Sequence, residues 1–193
     1  MKGTFFSTLF GGVIRRKKRL EHAHFLYGVV VASARNPDLF RNFDIPDTFD
    51  GRFEMLATHL YVLNDRLRQD GDEGRALSQE IIDFFIADMD VALREAAVGD
   101  QVVPKRLAKM TRVVHGRAAA YDRARIGESD VQKEMAAIVA RNVFNGRVPR
   151  QAEFAMANWM LEQIASLAKR PLDRILAGSD LFGRISTSET ETV

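Results

Sequence analysis

Apolar positions recur at intervals of three and four along most of the chain, and no stretch of useful length alternates at period two. The pattern therefore predicts helices throughout and no sheet. Its clearest instance is Phe49, Phe53, Leu56, Leu60, Leu63 and Leu67, a 4-3-4-3-4 seam meant for a partner helix, with Asp47 or Thr48 placed to cap it. Arg52, His59 and Arg66, spaced by sevens, line one edge of that seam, and Asp70-Gly71-Asp72-Glu73-Gly74 ends it in a polar turn. A following helix over about 74–97 carries Ile82, Phe85, Ile86, Met89 and Leu93 as its stripe, widened by Leu77, Ile81, Phe84 and Ala92. Upstream, residues 18–35 read as a helix with Leu26, Val29, Val30 and Ala34 buried.

Downstream, Pro104 suits a helix start, with Leu107, Met110, Val114 and Tyr121 on the buried side. Ser129 and Gln132 have capping-box spacing before a helix that ends near Asn145-Gly146. Pro149 opens another, with the seam Phe154, Ala157, Leu161 and Ile164; Trp159 projects from its other side and is expected to pack under a neighbour. Pro171 starts a short last helix. The sum is an all-α, single-domain bundle of about six to seven helices. Residues 18–178 form the domain, 1–17 a basic amphipathic N-terminal segment, and 179–193, rich in Ser, Thr and Glu, a flexible tail.

Polar residues that break the pattern are the candidates for function. Asp88 falls inside the widened apolar arc, one turn from Phe84 and Phe85, and needs a cation or several donors, with the Arg52/His59/Arg66 edge as a possible source. Asp90 and Arg94 can pair at i,i+4 on the opposite side. Asp88 and Asp90 diverge on a helix, as do His22 and His24, so neither pair forms a metal-binding face. No Glu-x-x-His pair and no cysteine occur, which removes di-iron and thiolate chemistry. With no convergent acid–base pair either, the sequence points away from an enzyme and calls for no cofactor. Lys105, Lys109 and Arg112 form a basic stripe with Arg106 beside it, suited to an acidic partner, a phosphate or a lipid head group. Gly116, unusual inside a helix, suggests a close helix crossing.

The N-terminal segment has its own chemistry. Phe6, Leu9, Phe10 and Val13 fall at i, i+3, i+4 and i+7, one helical stripe, and Arg15-Arg16-Lys17-Lys18-Arg19 follows. Apolar residues before cations reverse the order of a secretory signal. An apolar stripe beside cations suits an interfacial helix on anionic lipid, and the cations alone suit ribosomal RNA. Phe6, Phe10, Arg15, Arg16, Lys17, Lys18 and Arg19 are the candidate contacts.

Several strings occur together and in order: Asp50-Gly51-Arg52-Phe53-Glu54-Met55-Leu56, His59-Leu60, Phe84-Phe85-Ile86-Ala87-Asp88-Met89-Asp90, Leu93-Arg94-Glu95, Val98-Gly99-Asp100, Val103-Pro104-Lys105-Arg106 and Gly116-Arg117 with Ala120-Tyr121-Asp122. Over roughly 40–145 this set resembles the ubiquinol–cytochrome c chaperone family in its bacterial form. The resemblance implies a helical, non-catalytic assembly factor for the ubiquinol–cytochrome c reductase complex, with newly made cytochrome b as client. It also implies a small partner protein and contact with ribosomes, as in mitochondrial members. The expected location is peripheral to the inner membrane, on the cytoplasmic side in a bacterium or the matrix side in a mitochondrion. Within the matched stretch, Phe84, Phe85 and Tyr121 are the candidates for apolar docking, and Asp88, Asp100, Lys105 and Arg106 for orienting a partner. The competing classes are a ligand-binding or transcription-regulating helical protein and a haem-handling protein built on His59 and His115. A helix-turn-helix is missing from residues 1–40, so no DNA partner is expected.

Overall fold

The computed structural model describes residues 3–127, 130–146 and 152–183, with side chains from residue 14 onward. Eight α-helices occupy these residues: α1 (Gly3–Ala34), α2 (Pro37–Asn42), α3 (Phe49–Leu67), α4 (Gly71–Glu95), α5 (Val103–Ile126), α6 (Val131–Asn142), α7 (Ala152–Ala168) and α8 (Leu172–Leu176). No strand occurs among the described residues. The architecture is the expected all-α bundle.

Helix α3 is the hub. It packs against α1, α4, α5 and α7, while α1–α4, α4–α5, α5–α6 and α6–α7 contacts build the surrounding shell. The expected one-sided seam is therefore incomplete. Leu56, Leu60, Leu63 and Leu67 are buried, but so are Glu54, Thr58, His59, Asn64 and Arg66 on the other sides. These polar residues survive burial mostly by finding partners. Glu54 meets Arg117 and the His59 Nδ1 sits 2.8 Å from the Met55 carbonyl. Arg66 donates to the Leu167 and Arg170 carbonyls at 3.1 and 2.8 Å, closing the C-terminal end of α7. Phe49, at the start of the seam, is 54% exposed.

The entry to α3 is fixed by two contacts. Thr48 has extended backbone and its Oγ1 accepts from the Gly51 N–H at 3.2 Å, so Thr48 is the cap. The incoming chain then crosses Gly51 so closely that a Cβ there would stand 2.0 Å from the Pro46 carbonyl oxygen. Gly51→Ala is expected to lower stability by about 1–3 kcal/mol, because backbone rather than a flexible side chain must move. At Gly116 nothing lies within 4 Å of an added Cβ. The close crossing expected there is absent, and Gly116→Ala should stabilise α5 by up to about 1 kcal/mol. Thermal melts of the two variants should shift in opposite directions.

Several local expectations are corrected by tertiary context. The turn after α3 is made by a 3-10 segment, Arg68–Asp70, and by Gly71 at φ +69, so Asp72, Glu73 and Gly74 already belong to α4. Acidic residues in a first helical turn suit the macrodipole. The cap of α6 is Asp130, which accepts from the Lys133 N–H at 3.2 Å; Ser129 lies outside the described residues, as does Pro149. In α7 the buried side is Met156, Trp159, Met160, Gln163 and Leu167 as well as Ala157 and Ile164, while Phe154 is exposed and Leu161 half-buried. Gripped between α3 and α6, α7 buries two faces, and a nearly all-apolar helix gives no period to choose between them. Trp159 packs under its neighbours as expected, with its ring centroid 5.1 Å from His59 and 6.0 Å from Phe43. The boundary placed at residue 17 falls inside an unbroken helix, since α1 runs from Gly3 to Ala34. The flexible tail expected over 179–193 begins too early: Leu181 is buried and Phe182 packs on His59, so these residues belong to the bundle, and those from 184 lie outside the described residues.

Candidate functional site

A groove of about 430 Å³ opens where the first turns of α3, the end of α4, the first half of α5 and the end of α6 meet. Phe49, Phe53, Leu93, Met110 and Val113 supply its apolar wall, and Arg106, Lys109 and Arg117 its basic one. Helical spacing explains the sorting on α5. Arg106, Lys109, Met110, Val113 and Arg117 recur at three and four, so one side of that helix faces the groove. The same spacing on α3 brings Phe49, Asp50, Phe53 and Glu54 to it.

Its floor is an ion pair. Arg117 Nε donates to a Glu54 carboxylate oxygen at 2.6 Å, and a second guanidinium N–H donates to the other oxygen. The Glu54 side chain is 7% exposed and that of Arg117 20%. Burial raises the Glu54 carboxyl above its ordinary pKa, and the bidentate guanidinium opposes that rise without cancelling it. Behind the pair lies Tyr121, whose hydroxyl meets Thr58 and Asn142 and whose own ionisation burial pushes upward. Asn142 also lines the groove, so the network ties the floor to the end of α6.

A second hollow of about 200 Å³ shares Phe49 and Phe53 with the first and continues to α1, bounded by Val31, Ala34, Arg35, Arg52, Asp88 and Met89 among others. The two phenylalanines thus form an aromatic ridge between two depressions. Asp88 accepts from the Tyr27 hydroxyl at 2.7 Å. Its hydrogen-bond partner comes from α1, not from the Arg52/His59/Arg66 edge. Arg52 pairs with Asp47 at 2.6 Å, and Arg66 is committed to α7.

The expected partner-contact residues divide accordingly. Arg106 lines the main groove and Asp88 the smaller hollow; Lys105 is exposed on the same helix as Arg106. Asp100 is exposed but paired with Arg94 at 2.8 Å, and Arg94 also holds Asp90 at 2.7 Å, the i,i+4 pair expected. Phe84 is half-buried against His24, 5.2 Å between ring centroids. Phe85 and Tyr121, 0% and 1% exposed, have no surface to offer a partner. Both brace the groove from behind, Phe85 against Phe53 at 6.2 Å and Tyr121 through Asn142. In α1, Arg15, Arg16, Lys17 and Lys18 are exposed, whereas Arg19 is spent on Glu73 and Glu80 at 3.1 and 3.0 Å. The side chains of Phe6 and Phe10 lie outside the described residues.

Haem ligation by His59 would require dismantling the core. Its ring is 1% exposed, held by the Met55 carbonyl and enclosed by Trp159 and by Phe182, 4.6 Å away. No group of three or more metal-ligating side chains converges among the described residues. Also among them, no helix is long and apolar enough to cross a membrane.

The sequence pattern missed Phe49 as an exposed residue, and Glu54 and Arg117 as a buried pair. The signal was present in the ordered strings, which contain both charged residues. The sequence model of the ubiquinol-cytochrome C chaperone family matches residues 41–182. The chain belongs to that family. The match extends past the 40–145 region that the strings mark and takes in α7 and α8. This chaperone-family chain is 25% identical over 130 residues to the ubiquinol-cytochrome c reductase complex assembly factor 1 of Mus musculus, covering 66% of the chain and 43% of that protein. It is 24% identical over 144 residues to the protein of the same name from Homo sapiens, covering 74% of the chain and 47% of that protein. The chain thus spans under half the length of these curated relatives. The crystal structure of the Cbp3 homolog from Brucella abortus has the same fold, with a TM-score of 0.75 at 29% identity over 93% of this chain and 98% of that one.

Proposed function

We propose that the protein is a non-catalytic assembly chaperone of the ubiquinol–cytochrome c reductase complex that holds newly made cytochrome b at the groove between α3, α4, α5 and α6. The supporting observation is the aromatic ridge of exposed Phe49 and half-buried Phe53 beside Arg106 and Lys109, set on a floor stiffened by the Glu54–Arg117 pair. An apolar ridge can shield a hydrophobic segment from water while the two cations take a carboxylate or carbonyl at its flank. A preformed floor limits the ordering cost of capture. The family match and the two assembly factors point to the same client complex. A small partner subunit and a position beside the inner membrane complete the reading.

The test is recovery of cytochrome b on tagged protein, read by mass spectrometry against other membrane proteins. Phe49→Ala combined with Arg106→Glu changes exposed residues and should leave the melt unchanged. It should lower cytochrome b recovery by about tenfold or more, the scale of a central contact residue. Undiminished recovery from this folded variant would move the client surface away from the groove. Absence of cytochrome b from the wild-type sample would end the reading.

A further inference from the structure

Nothing in the groove uses the first half of α1. This helix and α4 run side by side in the same direction, and their contacts keep a constant offset. Arg19 meets Glu80 and Tyr27 meets Asp88, each pair 61 residues apart in sequence. The same offset sets Gly71, the first residue of α4, beside position 10, so α1 begins before α4 does. The helix also outruns its core. Ala23, Leu26, Tyr27, Val30 and Ala34 are buried, but over residues 14–22 none is.

That stretch carries a particular surface. Arg15, Arg16, Lys17 and Lys18 are exposed and have no ion-pair partner among the described residues. Ile14 and Leu20 beside them are 57% and 38% exposed. The sequence continues toward the N-terminus with apolar residues at helical spacing, including Leu9 and Val13. The one covered cation is Arg19, which clamps α1 to Glu73 and Glu80 on the first turns of α4 and so fixes the direction in which the helix leaves the bundle.

We propose that the N-terminal part of α1 lies along an anionic lipid bilayer, with Ile14 and Leu20 at the head-group boundary and Arg15, Arg16, Lys17 and Lys18 among the lipid phosphates. Charge complementarity selects a polyanion, and the apolar positions select lipid over nucleic acid. Phosphates of RNA would answer the four cations but leave Ile14 and Leu20 in water. The helix does not span the bilayer, being insufficiently apolar. The inference stands whichever client the groove holds.

Vesicle co-sedimentation of the full chain tests it, using phosphatidylcholine with or without phosphatidylglycerol. Binding should need phosphatidylglycerol and weaken as salt rises, since each cation near such a surface is worth about fivefold in partitioning. Reversing Arg15, Arg16, Lys17 and Lys18 to Glu should reduce binding by at least about tenfold. Ile14→Ser with Leu20→Ser should also reduce it, with circular dichroism showing the bundle intact. Equal binding to neutral vesicles, or none to anionic ones, would overturn the proposal. So would binding that falls on charge reversal but ignores the two serine changes, which would mark a polyanion site rather than a lipid surface.

Discussion

Arg117→Ala should lower the stability of the fold by about 3–5 kcal/mol, the usual cost of removing one partner from a buried ion pair. The carboxylate left behind belongs to Glu54, 7% exposed and already above its ordinary pKa because of burial. Without the guanidinium that pKa rises further, so as pH falls the folded variant takes up a proton before the unfolded chain does. Stability of the variant should therefore recover as pH falls toward the ordinary carboxylate range, opposite to the trend of most proteins. Urea titrations at two pH values measure both effects. Glu54→Met combined with Arg117→Leu should regain most of the stability, because no charge is then stranded. A loss under about 1 kcal/mol in Arg117→Ala would show that water reaches the pair in solution.

Acidification of the wild-type protein should act through a different residue. His59 is buried among aromatics, and burial lowers its pKa from 6.5 to about 4 against the opposing pull of the Met55 carbonyl. Above pH 6.5 neither state is charged at this residue. Between 6.5 and 4 the unfolded chain takes a proton that the folded one refuses, so stability falls with pH across that window. The loss approaches about 3 kcal/mol at its lower end and is about 2 kcal/mol at pH 5. Denaturation at pH 7 and pH 5 should show a difference that His59→Gln removes, whatever that substitution does to stability at pH 7. An equal difference in both proteins would assign the acid sensitivity to carboxylates instead.

How much of this could be read in the chain depended on the number of faces each helix buries. Helix α4 has one, and its stripe of Ile82, Phe85, Met89 and Leu93 packs inward as the spacing predicted. Helix α3 has no solvent side over most of its length, and its inward polar residues resemble a hydrated face in any periodicity argument. Asp88 announced itself as a carboxylate in need of a partner, but Tyr27, 61 positions earlier, has no local signal. Gly51 and Gly116 look alike in sequence; one lies under the Pro46 carbonyl and the other faces open space. The groove was partly legible, through Arg106, and the smaller hollow through Asp88. The floor of the groove was not, because Glu54 and Arg117 are joined only when α5 folds back across α3.

The grip of Arg66 on the carbonyls that end α7 has a consequence for synthesis. Arg66 and its acceptor on Leu167 stand 101 positions apart, and Trp159 covers His59 from the same late helix. A nascent chain that has emerged only through α5 therefore leaves its central helix with polar and apolar groups open to water. Closure of the bundle must wait until α7 clears the ribosome, a long-range step that slows folding. A protein proposed to shelter unfinished chains would, for most of its own translation, be one.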